Sequence, residues 1–548
     1  MNCSPKRRIT VFSPYSGIWP HSLSEWQLAR QLSKDDFEIS VINCGGVLNL
    51  HCAVMESFRL DINSDIENKK KICRSCKNCA DDLLLPPYKN QYLLSNYVSE
   101  IELDEARKIT ASLTLKDFAT LIVGKTEIGK LTSYETLIKY KKTSLELNQD
   151  ELNHWKTSVY QGLVVRKSAQ RILELDKPEL AIIYSPQYAA GSVFAAIATE
   201  MGIGTYFVEG SSNIAERYRA LRIWSWPDHG LVNPALKFDH VRKNPDQEKV
   251  ARVELHFREI NRANSFSVYS PKSKGKFNPR DYFGIRSDQR ILLAAVSSYD
   301  EAYSAFIIGG FPKSKYQGKV FLNQFDWIAQ TIDWFRGHPS YFLIIRLHPR
   351  DFPNKRESVV SEQTKIWSKL LINLPENVSI DYPKEKISLQ DYFPNIDAFV
   401  TGWSSTALEA LYFGVPVVTY DSGMPSYPSS IHLSGISKDE YFQNIQQALS
   451  AEKSTVRKQD AISWLAFNFS NGTIRVPGRI MDWCKYGSIP FIGLFLRASS
   501  HYFPRLMHRV ETSYTLKNKL EPDKAILNEL LFQKKTNLYS LQLSNNDN

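Results

Sequence analysis

Three short stretches of this chain place reactive side chains where a strand should end. Arg346-Leu347-His348-Pro349 closes the apolar run 341–347 (YFLIIRL). Proline cannot continue a strand ladder, so the imidazole falls at the edge of a sheet. A histidine there can hydrogen-bond a nucleotide phosphate or ribose, and Arg346 adds a fixed positive charge. Thr401-Gly402-Trp403-Ser404-Ser405-Thr406 follows the run 397–401 (DAFVT) and precedes a helix that begins near Ala407. One hydroxyl suffices for a helix cap. Three in a row after a glycine exceed that need and suit a phosphate, which free N–H groups and hydroxyls bind well. Glu409, one turn further on, is within reach of a ribose. Val208-Glu209-Gly210-Ser211-Ser212 closes the run 204–208 (GTYFV). A carboxylate at a strand tip, with glycine permitting close approach, suits a general base. Asp300 and Glu301, after the run 290–296 (RILLAAV), are the next candidates. Taken singly, each motif has a plain structural alternative: a histidine satisfied by backbone, a helix cap, a solvated carboxylate.

A fourth cluster suggests metal. Cys44, Cys52, Cys73, Cys76 and Cys79 are five of the seven cysteines, with Cys73-x-x-Cys76-x-x-Cys79 at knuckle spacing. Such a run with a distant pair matches structural zinc, where four thiolates close a tetrahedron. Scattered reduced thiols are the alternative. An iron–sulfur cluster is less favoured, because no redox chemistry is otherwise indicated.

The elements that must hold these groups repeat. Residues 8–13 (RITVFS) read as a strand, 24–32 as a helix and 37–43 (FEISVIN) as a second strand, a βαβ pattern. Residues 55–149 read as an insertion, after which 180–184 (LAIIY), a helix over 190–201 and 204–208 resume the alternation. Two charge-rich helical segments are expected up to Asn264. The pattern then repeats through 290–296, 322–335, 341–347, 377–380, 389–392, 397–401, 406–413 and 415–420. Near-continuous apolar strands require a sheet covered on both faces. The predicted fold is therefore α/β, with two Rossmann-like doubly wound domains facing a cleft. The first covers residues 1–265 and carries a Cys-rich, helical insertion at about 44–150. Residues 266–450 form the second, and 451–548 a helical C-terminal extension.

Composition narrows the class. A chain of 548 residues exceeds one hydrophobic core. The net charge of +10 is dispersed apart from short runs such as 69–71 (KKK), and no nucleic-acid motif accompanies it, so nucleic acid is not an expected partner. The N-terminus lacks a secretory signal core and no run of about 18 apolar residues occurs, so the chain reads as cytoplasmic. The apolar stretch 489–496 (IPFIGLFL), with basic residues after it, reads first as a packed helix. Contact with the inner-membrane surface is its second reading.

Together, Glu209-Gly210, His348-Pro349 and Ser404-Ser405 resemble the motifs of bacterial transferases that use cytidine-activated sugars, the capsule Kdo-transferase and bacterial sialyltransferase groups. The stretch 344–421 is also similar to the glycerophosphate polymerases of teichoic acid synthesis. The segment from Ala407 to Val417 resembles the donor-side helix-to-strand element of GT-B enzymes, in which the glutamate contacts the ribose of a uridine nucleotide. The resemblance covers about 202–421. It departs at Val208, which stands where the family commonly has a first acidic residue. It implies a GT-B enzyme that moves a sugar from a nucleotide-activated donor, cytidine-linked first and uridine-linked second. The acceptor would be a glycan or lipid-linked glycan of a growing surface polysaccharide such as capsule or O-antigen. Glu209 would activate the acceptor hydroxyl, while Arg346, His348, Ser404, Ser405, Thr406 and Glu409 would hold the nucleotide. No Asp-x-Asp stands at a strand end, so a catalytic metal is not expected. The rivals are a UDP-sugar 2-epimerase and a non-catalytic polysaccharide assembly protein.

Overall fold

The apolar runs become the middles of two sheets. The computed structural model describes residues 7–475, apart from 33–36, 83–87, 186, 218–219, 226–234, 236–237, 239–244, 264–267, 312–316, 355–357, 422–424 and 472, together with Leu506 and Arg509. The chain divides into two units: residues 1–136, 145–230 and 471 onward in one, and 137–144 and 231–470 in the other. The first holds β1 (Arg7–Phe12), β2 (Phe37–Asn43), β3 (Tyr88–Leu93), β4 (Leu180–Tyr184), β5 (Gly204–Gly210) and β6 (Ala220–Ser225). The second holds β7 (Arg290–Ala295), β8 (Tyr341–Arg346), β9 (Val378–Asp381), β10 (Ala398–Thr401), β11 (Val417–Thr419) and β12 (Leu433–Ser434). The chain then returns to the first unit with β13 (Thr473–Arg475).

In the first unit the strand order is β13-β6-β5-β4-β1-β2-β3, parallel from β3 to β5 and antiparallel at β6 and β13. In the second it is β12-β11-β10-β7-β8-β9, parallel throughout. Strand order reverses between β1 and β4 and again between β7 and β10. Each reversal is a switch point, where helices leave to opposite faces and a crevice opens at the carboxyl ends of the strands. Alternate residues make each core. Ile9, Val11, Ile182, Val208, Leu221 and Ile474 pack together in the first unit. Leu292, Ala294, Leu343, Ile345, Val400 and Trp327 do so in the second.

One buried carboxylate also ties three strands of the first unit. Asp176 ends the long helix Gln149–Asp176 and accepts hydrogen bonds from Thr10 Oγ1 (2.5 Å) on β1, Ser40 Oγ (2.9 Å) on β2 and Tyr92 Oη (3.0 Å) on β3. That helix starts at a reciprocal cap between Asn148 and Glu151 and stops at Lys177, whose φ of 49° is left-handed.

The expected insertion is partly sheet, because β3 lies inside it as the outer partner of β2. Its burial alternates, as an edge strand's does, so it lacks the apolar run that marks an interior strand. The region expected to hold two helices contains β6 and one described helix, Gln247–Arg262. The expected division at 265 falls instead at 230, and 137–144 joins the second unit. Among the described residues, no helix is long and apolar enough to cross a membrane. The apolar stretch 489–496 lies outside the described residues.

Candidate functional site

In the second unit, two predicted motifs flank β7. His348 stands two residues beyond β8, on one side, and caps the turn Pro349–Asp351. Its Nδ1 accepts from the Arg350 backbone N–H at 3.2 Å, which leaves the neutral ring's proton on Nε2, a donor. On the other side, the loop after β10 begins with Gly402, where a Cβ would stand 2.8 Å from the Tyr420 ring. Ser404 Oγ accepts from Thr406 N–H at 3.3 Å and from Thr406 Oγ1 at 2.9 Å, so these two hydroxyls bond to each other in the turn that leads into the helix Thr406–Tyr412. Ser405 is exposed and makes no cap bond. Of the three hydroxyls, Ser405 is therefore the one without a structural task.

Arg346, expected as a phosphate ligand, is engaged by protein groups. It is buried, ion-paired with Asp381 at the end of β9, bonded to the Ile387 carbonyl at 2.9 Å, and set over the Tyr392 ring. A guanidinium enclosed in this way holds β8 to its neighbours. Glu409 accepts from the Gln390 side chain, and burial pushes its carboxyl up to about 8 against the opposing pull of Arg346. Asp300 and Glu301, the reserve bases, face Arg350 instead: its guanidinium lies 3.0 Å from Asp300, which is fully buried, and 3.7 Å from Glu301. Sequence reasoning missed Ser297, two residues past β7. Its buried hydroxyl has no hydrogen-bond partner among the described residues, at the switch point itself.

In the first unit, Glu209 occupies the penultimate position of β5. Burial raises its pKa, and Arg222 and Arg217 pull it back down. Gly210 is required next to it, since a Cβ there would stand 2.6 Å from the Arg217 carbonyl oxygen.

The switch point of this unit gathers more titratable groups than the motifs indicated. His21, Glu25, Tyr15 and Tyr184 line one small pocket. His21 stacks on Tyr184 with centroids 4.2 Å apart, and burial, then Arg217, lowers its pKa to about 3. Glu25 accepts from the Tyr184 N–H at 3.0 Å, and burial pushes it up to about 8. Both oxygens of Glu135 accept from the Ala189 N–H, at 2.9 and 3.0 Å, where the helix Ala189–Glu200 begins, and burial lifts this carboxyl to about 7. A carboxyl with a pKa near neutrality is matched to acid–base work. Close by in sequence, His51 Nε2 lies 2.9 Å from Glu56 Oε2, and the His51 and His154 rings meet edge to face at 5.3 Å. His21, Glu25, Glu135, His51 and His154 do not directly follow an apolar strand run, the signal that located Glu209.

The cysteines divide. Cys44, Cys52, Cys73 and Cys76 line one pocket, and Cys79 is buried outside its lining.

No protein-family model matches the chain, and no curated protein does. Among solved structures it is similar to KpsC, a β-Kdo 2,4-transferase of Thermosulfurimonas dismutans, at 12% identity and a TM-score of 0.32, over 56% of this chain and 86% of that one. It is similar to a UDP-GlcNAc 2-epimerase of Methanocaldococcus jannaschii, solved with UDP-GlcNAc and UDP, at 13% identity and a TM-score of 0.28, over 82% and 94%. A third is the calicheamicin glycosyltransferase CalG4, at 13% identity and a TM-score of 0.26, over 92% and 99%.

Proposed function

We propose that this chain is a glycosyltransferase that moves a sugar from a nucleotide-activated donor, cytidine-linked first, onto a glycan or lipid-linked glycan of a surface polysaccharide. One observation carries the reading: His348 and Ser405 stand beyond the strands on either side of β7, at the switch point of a doubly wound sheet. That is where such sheets bind nucleotides. His348 Nε2–H and the Ser405 hydroxyl would donate to the leaving phosphate as the bond from sugar carbon to phosphate oxygen breaks. Preorganised donors of this kind stabilise developing negative charge without a divalent ion. Glu209 would take the proton from the acceptor hydroxyl as its oxygen bonds to the sugar. Arg346 would hold β8, which leads into His348, to β9 through Asp381.

The test is a thermal-shift series with CMP, CDP, UDP and GDP, followed by transfer assays with the matching sugar nucleotides. Stabilisation by a cytidine nucleotide and acceptor-dependent transfer support the reading. Stabilisation by none of the four removes it. A second reading, a UDP-sugar 2-epimerase, is favoured by the gathering of His21, Glu25 and Glu135 at the first unit's switch point. Exchange of the sugar C2 proton with solvent in the absence of acceptor would select it.

A further inference from the structure

Three segments of the first unit bring four thiols to one pocket. Cys44 follows β2, Cys52 precedes the short helix Ala53–Ser57, and Cys73 and Cys76 lie one turn apart on the helix Ile66–Asp82. Ser16 after β1 and Leu93 at the end of β3 also line the pocket.

The backbone around these sulfurs is arranged for thiolates. Leu48 N–H donates to Cys44 Sγ at 3.4 Å, and Gly17 N–H donates to Cys76 Sγ at 3.2 Å. A neutral thiol is a weak acceptor, whereas N–H groups converging on sulfur are the outer shell that a metal-bound thiolate uses. Gly17 is specific to this contact: a Cβ there would stand 2.7 Å from Val54 and 3.3 Å from the Cys76 Cβ.

Spacing decides between an ion and a cluster. Zinc bound at about 2.3 Å to each sulfur draws the sulfurs to about 3.8 Å from one another. Among the described residues the one group of three whose ligand atoms all lie within 4.8 Å is His51, Glu56 and His154, so no three of the cysteine sulfurs converge that closely. A cubane cluster instead takes one thiolate at each of four separate irons, which spreads the sulfurs around a volume. A structural cluster of this kind needs no redox partner.

We propose that Cys44, Cys52, Cys73 and Cys76 ligate a [4Fe–4S] cluster, in place of the zinc expected from the spacing of the cysteines alone. The cluster would tie the chain after β2 to the helix Ile66–Asp82, close to Tyr15 at the switch point. The proposal does not rest on glycosyl transfer. It is tested on the full chain purified without oxygen, by assaying iron, acid-labile sulfide and zinc and recording the visible spectrum. About four irons and four sulfides per chain with a broad visible band are expected. One zinc without iron overturns the proposal, and so does folded protein free of metal. Cys79→Ser is expected to keep its iron and its band, and loss of iron from it would overturn the ligand set. Cys76→Ser is expected to lose most of its iron, and a variant that kept it would overturn the set equally. If Cys76→Ser does not fold, the wild-type stoichiometry and Cys79→Ser still decide.

Discussion

Glu209 on β5 is paired in register with Arg222 on the antiparallel β6, so the proposed base has a guanidinium on the strand beside it. Arg222 in turn donates to Ser212 Oγ at 2.6 Å, which fixes it in place. Burial favours the proton on Glu209, and Arg222 with Arg217 favours its release. Glu209→Gln keeps size and hydrogen bonding but cannot take a proton. Turnover should fall by about 10² to 10⁴, the usual contribution of a general base, with donor affinity unchanged. Steady-state kinetics and calorimetry check this; near-full activity would make Glu209 structural.

Glu135 should set the acid limb of the rate profile. Its carboxyl is raised to about 7, so it carries charge above that pH and loses it below. Activity should fall as pH drops through about 7, and Glu135→Gln should remove that limb while keeping the bond from the Ala189 N–H. A limb that survives unchanged in the variant would show that Glu135 does not titrate during turnover.

His348→Ala and Ser405→Ala should each weaken nucleotide binding by roughly ten- to a hundredfold, the effect of losing one hydrogen bond to a charged group. Their melting temperatures should stay close to wild type, because neither side chain is buried. Calorimetry with the nucleotide found by the thermal-shift series reads this directly, and unchanged affinity in both would remove the donor-site assignment.

Arg346→Ala should behave in the opposite way. Removing it strands Asp381 in the interior, and breaking a buried pair costs about 3–5 kcal/mol. Denaturant unfolding should show the loss. A fully stable variant with weakened nucleotide binding would return Arg346 to the ligand.

Glu25 gives a stability signature. Its folded pKa, about 8, lies above the ordinary value of 4.5, so the folded state holds the proton more tightly. The stability this contributes is complete below about pH 4.5 and is lost as pH rises towards about 8. Glu25→Gln should flatten that part of the stability profile, measured as melting temperature against pH. An unchanged slope would mean that Glu25 ionises freely.

The sequence was most legible where strands are interior. β1, β4, β5, β7 and β8 are apolar runs because both faces are covered, and the carboxyl ends of β5 and β8 led directly to Glu209 and His348. β3 and β13 were hidden because they are edge strands, with three consecutive polar residues inside YKNQYL and TIR only three residues long. The thiol pocket was half legible: spacing gathered the cysteines, but only the folded chain separates Cys79 from the other four. The ion pair of Arg346 was not legible, because nothing local announces Asp381 on the neighbouring strand. Glu135 was missed for a similar reason, since its role depends on Ala189 at the start of a distant helix.

The late return of β13 has a consequence for synthesis. β6 pairs on one side with β5 and on the other with β13, which leaves the ribosome only after the whole second unit. Until then the nascent first unit displays the bare hydrogen-bonding edge of β6, a strand carrying Leu221, Ile223 and Trp224. Exposed apolar edges recruit other strands, so this interval is when the chain is most open to mispairing and to chaperone capture. A chain truncated before Asn471 would keep that vulnerability permanently.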